Sequence, residues 1–220
     1  MSLILNIDTA VQTASVCLSR NHELLELREN PSQKDHAAWL QLAIRDLLAS
    51  SGIRLQEIDA IAISAGPGSY TGLRVGMASA KGLCYALNLP LIAINTLKIM
   101  AVSGKHQSKD WLCPMIDARR MEVFTALFDQ QLNEIITPMN MVLDEKSFSE
   151  KLTGMKICFF GNGSNKFKQI CSNRNAEFAD VNYNAQHMIS LSYEQFSEGV
   201  FTNLAYSEPF YGKDFYSTLK

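Results

Sequence analysis

The stretch SAGPGSYTGLRVG, residues 64–76, places four glycines and a proline where a strand gives way to a helix. Before it, the apolar run DAIAIS (59–64) has the character of a buried strand. After it, helical spacing continues to Asn88, and LPLIAIN (89–95) follows as a second buried strand. A strand, a helix and a strand in this order predict a right-handed parallel crossover around the glycine-rich turn.

The residues before the turn predict an antiparallel meander and a helix. The segments LILNID (3–8), ASVCLS (14–19) and LLELRE (24–29) alternate with short polar turns, which is typical of successive strands. Apolar residues then recur at helical spacing over residues 35–50, and Gly52 ends the pattern. The first part of the chain is therefore predicted to join a meander to a parallel unit.

A short internal repeat predicts a second lobe. LILNIDTAVQTASVCLS (3–19) and LCPMIDARRMEVFTALF (112–128) each run strand, Ile-Asp, polar turn, strand. The polar stretch SGKHQSKD (103–110) lies between them and is the best candidate linker. We therefore predict an α/β protein with mixed sheets, a first lobe over residues 1–103, and a second, abbreviated lobe over residues 104–220.

Composition excludes several classes of function. The chain of 220 residues has a formal charge of -2 and a pI near 6.1, which argues against strong independent binding to nucleic acid. No segment approaches the roughly eighteen apolar residues that a membrane span requires. Residues 1–8 also lack the features of a secretion signal, so we expect a soluble, cytoplasmic protein. The five cysteines include no C-x-x-C pair and are expected to be buried thiols.

The glycine-rich turn allows a phosphate-binding, a catalytic or a packing interpretation. The backbone N–H groups of Gly68, Ser69 and Tyr70 could hold a phosphate at a helix N-terminus, although the spacing fits neither the P-loop nor the dinucleotide motif. Ser69 or Tyr70 as a nucleophile would lack both the G-x-S-x-G context and a nearby base.

The packing interpretation rests on a stripe of small residues spaced four apart along the predicted helix: Gly72, Gly76, Ala80 and Cys84. Glycine within a helix costs about 0.8–1 kcal/mol relative to alanine, so the stripe requires a packing reason. Small residues allow a second helix to approach closely, either from the same lobe or from another molecule. We favour a docking surface formed by the two predicted helices. Its expected residues are His36, Trp39, Leu40, Ala43, Leu47, Tyr70, Gly72, Leu73, Gly76, Met77, Ala80 and Cys84.

These motifs resemble one known family. The run SAGPGSYTGLRVGMASAKGLCYALNLPLIAINTL (64–97), with LNIDTA (5–10) and IDARRMEVF (116–124), closely resembles the TsaB (YeaZ) family. The motif G-P-G-S-[FY]-T-G-[LI]-R is specific to this family and its catalytic paralogue TsaD. The resemblance is close over residues 1–128 and looser afterwards, and the segment SEPFYGKDFY (207–216) departs from the family's usual ending. It implies an actin/hexokinase-like (ASKHA) fold of two related lobes.

The resemblance also implies a function. Members are bacterial partners of the enzyme that installs threonylcarbamoyl on the adenosine next to the tRNA anticodon. The chain is therefore expected to be a non-catalytic scaffold that forms a heterodimer with the TsaD paralogue through helices 35–50 and 70–87. A homodimer is expected in isolation, the ATPase subunit TsaE is a further candidate partner, and tRNA is expected to bind only through the complex, with no membrane involved.

Expectations about cofactors follow from the same comparison. The paralogue binds a metal through two histidines at i and i+4, and here those positions correspond to Thr96 and Met100, so no metal is expected. Asp8 and Thr9 are candidates for contacting a nucleotide phosphate, or else form an ordinary hairpin turn. Apart from weak ATP or ADP binding, no cofactor is expected. Two alternative functions stay open, a metal-dependent glycoprotease-like peptidase and an actin-like ATP-binding protein.

Overall fold

The structure, a computed structural model, describes residues 1–32, 35–107 and 110–212. These residues form two compact units. The first unit comprises Met1–Val102 and Tyr183–Phe210, and the second comprises Ser103–Asn182 with residues 211–212. The division lies next to the predicted boundary at residue 103, but the predicted second lobe needs correction, because residues 183–210 pack with the first unit. Part of the atypical C-terminal segment, residues 213–216, lies outside the described residues.

Each unit contains one mixed five-stranded sheet. The strands of the first sheet are β1 (Leu3–Asp8), β2 (Ala14–Arg20), β3 (Glu23–Asn30), β4 (Ala60–Ser64) and β5 (Leu91–Ile94). Those of the second are β6 (Trp111–Asp117), β7 (Glu122–Phe128), β8 (Glu134–Val142), β9 (Ile157–Phe160) and β10 (Ala176–Phe178). The spatial orders are β3-β2-β1-β4-β5 and β8-β7-β6-β9-β10, so both sheets have the same topology. In each, a three-stranded antiparallel meander is extended by two parallel strands.

The helices differ in length between the units. They are α1 (His36–Ser51), α2 (Tyr70–Leu87), α3 (Thr96–Gly104), α4 (Ser149–Leu152), α5 (Ser164–Lys168) and α6 (Ile189–Glu198). Those packed on the second sheet, α4 and α5, span only four and five residues. The second unit is therefore abbreviated in its helices, whereas its sheet is complete.

The ends of the long helices follow local capping rules. The Ser69 hydroxyl accepts a hydrogen bond from the Gly72 amide at 3.3 Å and caps the start of α2. Gly52 ends α1 and Asn88 ends α2, each in the left-handed conformation. None of the helices in the described part of the chain is long and apolar enough to cross a membrane.

The core of the first unit lies between its sheet and the helices α1 and α2. The β1 and β4 strands are buried along their whole length, which explains why both are almost uniformly apolar. In the second unit, packed rings of Phe148, Phe159, Phe167 and Phe178 form the centre of the core.

Candidate functional site

The glycines at the start of α2 fit against the turn between β1 and β2. A Cβ at Gly68 would meet the carbonyl oxygen of Ala10, and one at Gly72 would meet the carbonyl oxygen of Thr9, both far inside van der Waals contact. A Cβ at Gly76 would collide with the Thr9 hydroxyl. The glycine motif therefore allows α2 to pass directly against the backbone of the same unit.

Hydrogen bonds hold this contact in place. The Thr9 hydroxyl donates to the Gly72 carbonyl at 2.7 Å, and the Ser69 amide donates to the Ala10 carbonyl at 2.6 Å. The Ser69 amide is thus already occupied, and its hydroxyl caps the helix. The turn consequently uses for folding the Ser69 amide, one of the three amides of the phosphate-binding interpretation, and the Ser69 hydroxyl, one of the two candidate nucleophiles.

The expectation that the small-residue stripe receives a foreign helix is wrong for this fold. All four stripe residues are buried, and the contacts at Gly72 and Gly76 come from Thr9 of the same unit. The stripe fits the alternative of packing within the lobe, although at Gly72 and Gly76 the neighbour is a turn and not a helix. The spacing of the small residues predicted that α2 is approached closely, but it did not show that the approaching surface is the β1–β2 turn.

Most of the other predicted interface residues also lie in the core of the first unit. Trp39 is half-buried, and Tyr70 is exposed with the Arg74 guanidinium 5.3 Å from its ring centre. His36 is buried, and its Nε2 lies 3.1 Å from the Gln12 carbonyl oxygen. The remaining buried residues are Leu40, Ala43, Leu47, Gly72, Leu73, Gly76, Met77, Ala80 and Cys84.

A different face of the same two helices is exposed. On α2, Ala78, Gly82 and Ala86 form a second row of small residues spaced four apart, and all three are exposed. Tyr85 beside this row is 84% exposed, and Leu42 on α1 is 51% exposed. We call this surface, formed by Leu42, Ala78, Gly82, Tyr85 and Ala86, the outer face.

A hydrogen bond joins α1 to α2 beside the outer face. One glycine of this face has no packing reason within the chain. The Gln41 amide on α1 donates to the Ser79 hydroxyl on α2 at 3.0 Å. A Cβ added at Gly82 would meet nothing within 4 Å in the described structure. Because glycine costs helix stability, an exposed glycine with open space around it is unexplained by packing within the chain.

The two candidate nucleotide contacts, Asp8 and Thr9, have no exposed surface. The Asp8 Oδ1 accepts hydrogen bonds from the Ser64 hydroxyl at 2.6 Å and the Ala10 amide at 2.9 Å. Burial raises the pKa of the Asp8 carboxyl, and these two hydrogen bonds with nearby His36 oppose the rise. In this conformation Asp8 holds the hairpin turn through the Ala10 amide, as in the second of the two expectations. The Thr9 side chain instead binds the Gly72 carbonyl on α2.

The helix position considered for a metal is used for packing. The Thr96 hydroxyl accepts a hydrogen bond from the Gly66 amide at 3.1 Å, and the Thr96 amide donates to the Gly66 carbonyl at 2.9 Å. Met100 is buried in the same helix, α3. Within the described ranges, no three histidine, cysteine, aspartate or glutamate side chains form a group that could hold a metal.

Comparison with known proteins supports the family resemblance. The model of the TsaD family, described as tRNA N6-adenosine threonylcarbamoyltransferase, matches residues 30–208. The chain is 29% identical over 170 residues to the tRNA threonylcarbamoyladenosine biosynthesis protein TsaB of Bacillus subtilis, which covers 76% of this chain and 74% of that protein. It is 37% identical over 133 residues to TsaB of Haemophilus influenzae, covering 60% of this chain and 54% of that protein. The chain belongs to the TsaB (YeaZ) family.

Solved structures agree with this membership. YeaZ from Pseudomonas aeruginosa superimposes with a TM-score of 0.82 at 26% identity, covering 96% of this chain and all of that one. A second structure, described as an uncharacterized protein with similarity to peptidase YEAZ from the same organism, gives a TM-score of 0.86 at 25% identity and covers 97% of this chain and 100% of that one. With the repeated strand order, these likenesses confirm the predicted two-lobe, actin/hexokinase-like α/β fold.

Proposed function

We propose that this protein is a non-catalytic subunit in the biosynthesis of threonylcarbamoyladenosine in tRNA. In this role it binds a TsaD-type subunit through the outer face and supports threonylcarbamoyl transfer by that subunit. The names of its relatives and the match to the TsaD family model support the process. Binding of tRNA occurs only in the complex, and a TsaE-type ATPase is a further candidate partner.

The observation that carries the proposed mode of binding is the exposed glycine on α2. Gly82 and its neighbours Ala78 and Ala86 provide a nearly flat strip on which a second helix can lie close. Tyr85 and Leu42 provide large side chains at the edges of this strip, and a tyrosine is a frequent source of binding energy at interfaces.

The charges of α2 fit a partner that contacts it along its length. The helix carries Arg74 and Lys81 and no acidic residue. Lys81 is already engaged, because its ammonium donates to the carbonyl oxygens of Ala205 at 3.3 Å and Ser207 at 3.0 Å. Burying the outer face would therefore require little further desolvation of Lys81.

The outer face is also the surface through which we expect two copies of the isolated chain to form a homodimer. A two-fold dimer uses one patch on both copies, and the small-residue row of α2 is compatible with contact to its own copy. The two assemblies would then compete for the outer face, so the chain would exchange from homodimer to heterodimer when the TsaD-type subunit is added.

Reconstitution tests this function. The chain, a TsaD-type subunit from the same cell and the mixture are each supplied with unmodified tRNA and the threonylcarbamoyl donor, and modified adenosine is quantified by mass spectrometry. We expect modification by the mixture to exceed that of either component alone. Equal modification with and without the chain, in a mixture that forms a complex by light scattering, would contradict the supporting role.

The two alternative activities give separate results in the same preparation. Hydrolysis of a protein substrate by the isolated chain would favour a peptidase. Micromolar binding of ATP with magnesium in a calorimetric titration of the isolated chain would favour an ATP-binding protein. We expect no proteolysis, because Thr96 and Met100 stand where the paralogue has its two metal-binding histidines. We expect no micromolar ATP binding, because Asp8 and Thr9 are buried and hydrogen-bonded to Ala10, Ser64 and Gly72 of the same unit.

A further inference from the structure

The chain returns to the first unit at residues 183–188, here called the return segment, and this segment is seated on the meander. The Ala185 amide donates to the Ser15 hydroxyl on β2 at 2.8 Å. The Asn184 side-chain amide donates to the Glu29 carboxylate on β3 at 2.9 Å. These two bonds fix the return segment over the end of the β1–β2 hairpin.

Two buried oxygen atoms near this contact have no hydrogen-bond partner among the described residues: the Oδ2 of Asp8 and the hydroxyl oxygen of Tyr183. Asp8 is the register partner of Ser15, which binds the return segment. Its Oδ1 is fully used by the Ser64 hydroxyl and the Ala10 amide, while Oδ2 receives no donor. Burial raises the pKa of Tyr183, and the Asp8 carboxyl adds to the rise, so the two groups lie within electrostatic range of each other.

Within the described residues, the other titratable groups around this pair lie on three elements. His36 on α1 favours the charged form of Asp8, and its ring nitrogen is at 3.1 Å from the Gln12 carbonyl oxygen. Glu29 on β3 and His187 on the return segment interact with each other, and burial lowers the pKa of His187. The Asp8 carboxyl therefore has one imidazole nearby, at a distance that gives no hydrogen bond to Oδ2 in the described structure.

An ionised Asp8 would place part of its charge on Oδ2, which has no donor, whereas a protonated Asp8 would leave only a neutral O–H without an acceptor. Leaving a charged oxygen unpaired in a dry site is costly, and the cost falls when water reaches the oxygen or when the group binds a proton. The return segment lies beside this site, because its Ala185 amide binds Ser15, the register partner of Asp8. We infer that water reaches Oδ2 when this segment moves away from the hairpin.

We propose that the return segment is seated over Asp8 in its neutral, protonated form, and that ionisation of Asp8 favours the unseated segment. The device is a proton-dependent contact between the end of β1 and the point where the chain re-enters the first unit. Its direction follows from linkage, because a carboxyl that holds its proton more tightly when folded stabilises the fold at low pH. That stability is fully present below the ordinary carboxyl pKa and is lost as the pH rises through the raised pKa of the folded protein.

The first test compares the protein with Asp8→Asn, which has the same shape and stays neutral. Urea unfolding is measured for both at half-unit intervals from pH 4.5 to pH 8. Relative to the variant, the unfolding equilibrium constant of the unmodified protein should rise about tenfold per pH unit until the raised pKa is reached, and then level off. A ratio that stays constant over the whole range would overturn the proposal.

The second test measures the opening of the return segment itself and does not depend on global stability. Amide hydrogen exchange is corrected for the intrinsic rate and measured at Ala185, with the Thr202 amide, which donates to the Leu91 carbonyl, as the internal reference. Protection at Ala185 should fall severalfold relative to Thr202 between pH 5 and pH 8, and Asp8→Asn should abolish this pH dependence. Equal protection at both pH values, or the same loss in Asp8→Asn, would refute the proposal.

The role of Tyr183 is tested with a matched pair of substitutions. Tyr183→Phe removes the hydroxyl near Asp8 and makes the site more apolar, which should raise the pKa of Asp8 further. The pH-dependent loss of stability should then continue to a higher pH than in the unmodified protein. Tyr193→Phe, in the same unit, should leave that range unchanged. An unchanged pH range in Tyr183→Phe would show that the Tyr183 hydroxyl takes no part in this contact.

Discussion

Two glycines on α2 show that the same residue type can serve opposite purposes. Gly76 is buried, and a side chain there would strike the Thr9 hydroxyl and the end of the Ile63 side chain. Gly82 is exposed, and a Cβ there would meet no atom of the described structure within 4 Å. The first glycine is therefore required by the fold of the unit, whereas the second is not.

This difference predicts opposite effects of alanine at the two positions. Gly76→Ala should destabilise the isolated protein by about 1–3 kcal/mol, because the Cβ overpacks a site that cannot expand freely. Gly82→Ala should stabilise it by up to about 1 kcal/mol, because helix propensity improves without a clash. Thermal unfolding of both variants beside the unmodified protein measures the two shifts. A rise in melting temperature for Gly76→Ala would contradict the assigned packing.

The sequence correctly predicted that another part of a protein comes close to the small residues of α2, but it did not identify that part as a turn of the same unit. The spacing of Gly72, Gly76, Ala80 and Cys84 shows that something comes close to α2, and the structure has such a contact. Which of two small-residue rows faces the core depends on tertiary contacts with Thr9 and Ala10, which are distant in sequence. The exposed row, Ala78, Gly82 and Ala86, had the same spacing signal and was missed.

The cysteines give a second prediction at this scale. Burial raises the pKa of Cys84 and Cys158 to about 11 and of Cys113 to about 12, and it also raises the pKa of Cys17. Only a thiolate reacts quickly with an alkylating reagent, and the fifth cysteine is partly exposed.

Brief treatment of the native protein with iodoacetamide at pH 8 should therefore label Cys171 first, with the other four labelled only after denaturation. Peptide mass spectrometry measures the order, and a denatured sample is the control. Fast native labelling of Cys17 or Cys113 would show that the sheets are less closed than described.

At the scale of elements, one ion pair joins the β6–β7 hairpin to α5. The Lys166 ammonium donates to the Asp117 carboxylate at 2.8 Å and to the Glu122 carbonyl oxygen at 3.1 Å. Partial burial acts to raise the pKa of Asp117, but hydrogen bonds and charge from Lys166 and Arg119 outweigh it, so the pKa is lowered. The pair thus fixes both strands of the hairpin to the helix.

Lys166→Met should return the pKa of Asp117 toward its ordinary value. Because a lowered pKa stabilises the fold above the ordinary carboxyl pKa, this contribution should disappear as the pH falls through the lowered value. For a partly exposed pair it is about 1 kcal/mol or less. An NMR titration of the Asp117 carboxyl measures the pKa, and Lys168→Met on the same helix is the control. The same Asp117 pKa in the unmodified protein and Lys166→Met would contradict the assigned contact.

Strong apolar patterns in the sequence made most helices and strands predictable, and the elements that were missed have weak patterns. The buried strands β1 and β4 were predicted to within one or two residues from their continuous apolar runs, and the helices α1 and α2 from their apolar periodicity, because one core sets both patterns. The strand β8 was not predicted, since it is mostly exposed and contains Pro138 near an irregularity in its pairing with β7. The three-residue strand β10 is too short to show a period.

At the scale of the whole molecule, the repeated hairpin predicted a second lobe that opens like the first, and the matching strand orders confirm it. The prediction did not extend to the path of the chain after Asn182, where residues 183–210 rejoin the first unit. Such a return depends on contacts with β2 and β5, for example the Thr202 amide donating to the Leu91 carbonyl at 2.8 Å. No local pattern in the sequence encodes these distant partners.

The central claim is that the outer face binds the TsaD-type subunit. An effective test must alter this face without disturbing the core, so Gly76→Leu is unsuitable because it would clash with Thr9. Gly82→Leu adds bulk to the exposed row, and Gly154→Leu is its matched control, since a Cβ at Gly154 in the second unit also meets nothing within 4 Å.

The most direct measurement is the dissociation constant of the complex by titration calorimetry for the unmodified protein, Gly82→Leu and Gly154→Leu, with circular dichroism to show that all three fold alike. We expect Gly82→Leu to weaken binding by about tenfold or more, because the added side chain prevents close approach of the partner helix, and Gly154→Leu to leave it unchanged. Unaltered affinity in a correctly folded Gly82→Leu variant would contradict the account.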